Sequence, residues 1–89
     1  MTPEQSINGP DDLGAVLASL RADVADGVLE QYFDANSLFC TKCRIETIPR
    51  DGPWGDYLEL YFRSPHTGAR YRLRAEAYHG QGGVFERIR

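Results

Sequence analysis

Cys40-Thr41-Lys42-Cys43 is where residue type and spacing first suggest chemistry. Two thiolates separated by two residues can hold one tetrahedral zinc ion from a tight turn, and the Lys42 cation between them favours the deprotonated state. A structural zinc site takes four ligands, and the chain has no second cysteine pair, so His66 and His79 are the only nitrogen ligands left to complete it. These two histidines flank a stretch that reads as one strand. At about 3.3 Å per residue they stand roughly 30 Å or more apart, too far to share an ion. Zinc on Cys40 and Cys43 would therefore need a carboxylate or water as well. As a redox dithiol the pair lacks its usual setting, a helix N-terminus inside a parallel βαβ unit, because the residues after Cys43 read as a strand. The first expectation is two structural or incidental thiols and no cofactor, with zinc as the alternative.

His79 precedes Gly80-Gln81-Gly82-Gly83, where backbone N–H groups could face an anion and the imidazole could act as a base. No Lys-Ser/Thr follows as in a phosphate loop. A turn that needs glycine for positive φ accounts for the same residues. Arg70, Arg72 and Arg74 alternate along one strand, opposite Tyr57, Tyr61 and Arg63. Such a face can stack bases and track phosphates. It can equally be a solvated face in which Glu59 and Glu76 partly neutralise the arginines, or a protein contact rich in Arg and Tyr.

The elements that position these residues follow from periodicity. Pro10 suits the first turn of a helix, and Asp11 and Asp12 favour its positive end. Leu13, Val16, Leu17, Leu20 and Val24 then recur on one stripe, Ser19, Asp23 and Asp26 lie opposite, and Gly27 is the stop, which predicts a helix over 11–27. Residues 1–10 read as a flexible polar leader. Val28 to Phe33 leans to strand by its β-branched and aromatic content. Arg44 to Ile48 reads as a short strand closed by the Pro49–Pro53 loop. Tyr57 to Arg63 and Arg70 to Tyr78 form the clearest pair. With Arg63 opposite Arg70, Phe62/Tyr71, Leu60/Leu73 and Leu58/Ala75 share an apolar face and Tyr61/Arg72, Glu59/Arg74 and Tyr57/Glu76 share the other. Val84 to Ile88 is the last strand. The expected fold is α+β: one N-terminal amphipathic helix whose leucines cover a mostly antiparallel sheet of three to five strands. Leu58, Leu60, Phe62, Tyr71, Leu73 and Phe85 join the helix stripe in the core, and Trp54 is either a lid on that core or an exposed anchor, the lid being the commoner role of a lone tryptophan.

The chain's 89 residues support one domain and a single small core, which excludes a doubly wound nucleotide-binding sheet or a barrel of βα units. No apolar run is long enough to span a bilayer, and the first ten residues lack an export signal, so a cytoplasmic protein is expected. A net charge of −3 argues against a general nucleic-acid binder. That total conceals an asymmetry. Seven acids against one base precede Cys40, giving −6, and nine bases against six acids follow from it, giving +3.

Leu60, Tyr61, Pro65, Gly68, Tyr71, Leu73, His79, Gly80, Gly82 and Gly83 together resemble the strand, Pro-x-x-Gly turn, strand and His-Gly-Gly turn of a family of immunity proteins from bacterial polymorphic toxin systems. The resemblance covers residues 60–88. Tyr71 stands where that family has tryptophan, and Gln81 interrupts its glycines. The resemblance implies a small bacterial protein that protects its own cell by binding a cognate toxin and is not an enzyme. Its acidic segment would then mimic an anionic substrate against a basic toxin. The expected partner-binding residues are Asp23, Asp26, Glu30, Tyr61, Arg70, Arg72, Arg74 and His79.

Overall fold

The computed structural model describes residues 4–76 and 82–88. These form an α+β fold in the order β1 (Glu4–Ile7), α1 (Pro10–Ala25), β2 (Glu30–Tyr32), a 3₁₀ turn (Ile45–Thr47), β3 (Tyr57–Arg63), β4 (Arg70–Glu76) and β5 (Gly82–Ile88). The five strands make one antiparallel sheet in the order β1-β5-β4-β3-β2. No helix among the described residues is long and apolar enough to cross a membrane.

The helix begins and ends as its sequence dictates. Pro10 occupies the first turn, and Asp12 Oδ2 accepts the backbone N–H of Asn8 at 3.0 Å. At the other end Gly27 adopts φ 76°, the left-handed conformation that glycine takes without strain. Gly27 N–H then bonds Val24 O at 3.2 Å and Val28 N–H bonds Asp23 O at 2.9 Å, the paired bonds of a Schellman stop. This turn drops Leu29 into the core and sends the chain into β2. The buried stripe Leu13, Val16, Leu17 and Leu20 lies on Leu58, Leu60, Phe62, Leu73, Ala75 and Phe85 of the sheet's inner face. Val24, Tyr71 and Trp54 are partly buried against that cluster. Trp54 serves as a lid, its indole N–H donating to Pro49 O at 2.6 Å.

The β3–β4 pairing has the register the alternation predicts, from Tyr57↔Glu76 to Arg63↔Arg70. Two segments differ from expectation. Glu4–Ile7 is an edge strand on β5, not leader, and Ile7 is 2% exposed; one apolar side chain and an unpaired strand edge suffice to dock four residues. Residues 45–47 form a 3₁₀ turn rather than a strand. Its apolar residues Ile45 and Ile48 face the helix, and Arg21 donates to the carbonyl oxygens of both. These carbonyls therefore bond a helix side chain, not a neighbouring strand.

Candidate functional site

The sheet face turned away from α1 carries Tyr57, Glu59, Tyr61 and Arg63 of β3, Arg70, Arg72, Arg74 and Glu76 of β4, and Glu86 of β5. Sequence alternation leaves this face as a solvated surface, a nucleic-acid face or a protein contact. The structure corrects its exposure at the centre only, since Tyr57, Arg63, Arg70 and Arg74 stay exposed. Glu59 is 5% and Tyr61 4% exposed, because the loop after β2 folds over them. A buried carboxylate is costly unless hydrogen bonds satisfy it. Here Ser37 Oγ and Tyr61 OH donate to Glu59 Oε2, the latter at 2.8 Å, and Tyr57 OH donates to Oε1 at 2.7 Å. Burial pushes the Glu59 carboxyl up, but those three hydroxyls and the nearby Arg72 charge outweigh it and hold the group below its ordinary value. The same contacts act oppositely on the phenols. Burial and the facing carboxylate raise Tyr57 to about 12, and burial with Glu59 also raises Tyr61.

This network anchors the covering loop, 33–43. Thr41 N–H donates to Glu59 O and Thr41 Oγ1 accepts Glu59 N–H, each at 2.9 Å, so Thr41 continues the edge pairing that three-residue β2 leaves unfinished. Gln31 fastens the loop's far end by donating to Cys43 O at 2.9 Å and accepting Ile45 N–H at 2.7 Å. At the near end, Asp34 Oδ1 accepts Asn36 N–H at 2.9 Å, an Asx turn that reverses the chain. Between these fixings the loop presents Leu38, 95% exposed, and Phe39, 71% exposed. The Phe39 ring meets Tyr57 edge-on, with centroids 6.3 Å apart.

The arginines of the outer face are mostly engaged. Arg72 and Arg74 both reach Glu86, at 3.2 and 3.6 Å, and Arg63 Nε donates to Glu30 at 2.7 Å. Burial opposes the Arg72 charge, but Glu86 outweighs it and holds the guanidinium above its ordinary range. Arg70 is exposed at the strand end. Thus Tyr61, Arg70, Arg72 and Arg74 do share one face, but Tyr61 supports the loop from beneath and is not itself presented. Asp23 and Asp26 lie at the end of α1, on the other side of the sheet, and Glu30 is committed to Arg63. His79 lies outside the described residues.

Cys40 is buried, its Sγ donating to Thr41 O at 3.7 Å, whereas Cys43 is exposed. Among the described residues no three His, Cys, Asp or Glu side chains are grouped to hold a metal ion. Cys43 and Thr41, at the loop's far end, help line an adjoining apolar groove of ≈ 260 Å³ with Trp54, Tyr57 and Leu58. Leu38 and Phe39 were not legible as a site from periodicity. The available signal was an apolar pair directly after the turn-forming stretch Asp34-Ala35-Asn36-Ser37, belonging to no strand or helix. No family model, curated protein or solved structure matches the chain.

Proposed function

We propose that the chain is a non-enzymatic protein-binding domain whose contact surface is the Leu38-Phe39 loop. The carrying observation is that two large apolar side chains are held out by a loop fixed at both ends and in its middle. Exposing them sacrifices hydrophobic stabilisation, on the order of 1.5–3 kcal/mol for each that is fully buried. A partner that covers them recovers that free energy. Fixing the loop in advance lowers the ordering entropy lost on association. The chemistry of the outer face suits support: Glu59 is occupied by three hydroxyls, and Arg72 and Arg74 share one carboxylate.

The finer reading is an immunity-type inhibitor of a cognate toxin in the bacterial cytoplasm. The sequence resemblance supports it, as do the acids Asp11, Asp12, Asp23 and Asp26 along α1, which give a basic partner a complementary field. A photo-reactive phenylalanine analogue at position 39, introduced in the native host, should give a discrete adduct with another protein, and the same group at exposed Ala22 should not. Equal adducts from both positions, or none from position 39, would refute the loop as the contact. Charge reversal at Asp23 and Asp26 should then weaken capture of that partner. Unchanged capture would show that the acidic helix, which lies outside the contact itself, supplies no attracting field.

A further inference from the structure

Reading the loop as a binding surface, we infer that its resting occupant is a second copy of this chain, with Leu38 and Phe39 of each copy inserted into the Trp54 groove of the other. The face carries both halves of such a contact. The knob is the exposed Leu38-Phe39 pair, and the socket is the ≈ 260 Å³ groove whose walls include Thr47, Pro49, Pro53, Trp54, Tyr57 and Leu58. That volume falls below the roughly 300–1,000 Å³ of ordinary small-molecule sites and suits one or two side chains. Knob and socket are adjacent, because Phe39 packs edge-on against Tyr57, a wall of the groove. Adjacency lets a two-fold axis exchange both knobs at once, so the contact closes as a dimer instead of propagating as a fibre.

Charge selects the occupant. The exposed charged residues within two positions of a groove wall along the chain are Lys42, Arg44 and Arg50 against Glu46, Asp51 and Asp56, a mixed border with no net sign. A strongly basic or acidic partner gains nothing from it, whereas a second copy meets it without repulsion. Area sets the strength. The two knobs bring about 250 Å² each, and the walls they cover contribute a similar amount, for a total near 1,000 Å². This is the lower end for a specific interface. The dimer should therefore dissociate in the micromolar range and yield to a better-matched partner.

Sedimentation velocity from about 1 to 200 μM, paired with Trp54 fluorescence over the same dilution, tests this. Trp54 is the chain's single tryptophan, so its emission reports the groove directly. The expected result is a monomer–dimer shift accompanied by a blue shift of the emission, both abolished in Leu38→Ser/Phe39→Ser. Because both residues are exposed, this double variant keeps its fold, which circular dichroism verifies. A monomer across the range overturns the inference, as does a dimer that the double variant retains. If the protein is monomeric but position 39 still cross-links to a different protein, the dimer fails and the binding surface stands; if position 39 gives no adduct of any kind, the surface itself fails.

Discussion

Replacing Glu59 by alanine removes the acceptor of three hydroxyl groups at once, and their surroundings set the cost. Tyr61 is 4% exposed, so losing its carboxylate acceptor costs about 1–3 kcal/mol. Ser37 is half-buried and loses its tie to the sheet, whereas Tyr57, 39% exposed, regains water at little cost. Net of the relief from no longer burying a charge, Glu59→Ala should cost about 3 kcal/mol, a large share of the 5–10 kcal/mol expected for a domain this size. The melting temperature should fall by about 12–24 °C. Glu59→Gln keeps one acceptor and should cost about 1 kcal/mol. Tyr61→Phe should cost more than Tyr57→Phe, because the carboxylate is satisfied in common but only Tyr61 is buried. Urea unfolding followed by Trp54 fluorescence measures all four. A Glu59→Ala cost below about 1 kcal/mol, or equal costs for the two tyrosine variants, would refute this account of the loop's anchorage. Titration gives a further check. Since folding lowers the Glu59 pKa, its ionised network stabilises the fold above the unfolded value of about 4.3, and that contribution disappears as pH falls through the lower folded value. Glu59→Gln should flatten this acid limb.

Other consequences are separate from that network. Gly14→Ala should destabilise by about 1–2 kcal/mol although alanine favours helix by about 1 kcal/mol, because a Cβ there meets Arg50 O at 2.7 Å; a stabilised variant in thermal melts would contradict the packing of α1 on the Pro49–Pro53 loop. The double change Leu38→Ser/Phe39→Ser should alter unfolding free energy by less than about 0.5 kcal/mol in thermal or urea unfolding, showing that the fold does not depend on the pair. Native protein should react with one equivalent of a thiol reagent at Cys43, and Cys40 should react only on unfolding. The Tyr57 phenol should titrate near pH 12 by ultraviolet absorbance and move down in Glu59→Gln.

The helix, the central hairpin and its register were legible because each rests on local pattern. The 3.6-residue stripe from Leu13 to Val24 and the two-residue alternation from Tyr57 to Ala75 admit one burial solution each. β1 was not legible, since only Ile7 in Glu4–Ile7 is apolar and its docking depends on the open edge of β5, about 80 residues away along the chain. Ile45 and Ile48 suggested a strand because their spacing says nothing about Arg21, whose guanidinium claims the local carbonyls. The cover on the outer face is invisible in the sequence for a related reason. Alternation assigns Glu59 and Tyr61 correctly to the side away from the helix, but it cannot show that loop 33–43 covers that side as well. Of the residues expected to bind a partner, Tyr61 proves to be a support, and Glu30, Arg72 and Arg74 are engaged in ion pairs.

The proposed binding surface requires that Glu59 hold loop 33–43 in place so that Leu38 and Phe39 meet another protein. Its most direct test is the yield of protein adduct from a photo-reactive group at position 39, compared in the parent chain and in Glu59→Ala at a temperature where both remain folded. A strong, discrete adduct is expected in the parent and a marked loss in the variant, with none from position 22 in either. An undiminished adduct in Glu59→Ala, or adducts of equal strength from positions 22 and 39, would contradict it.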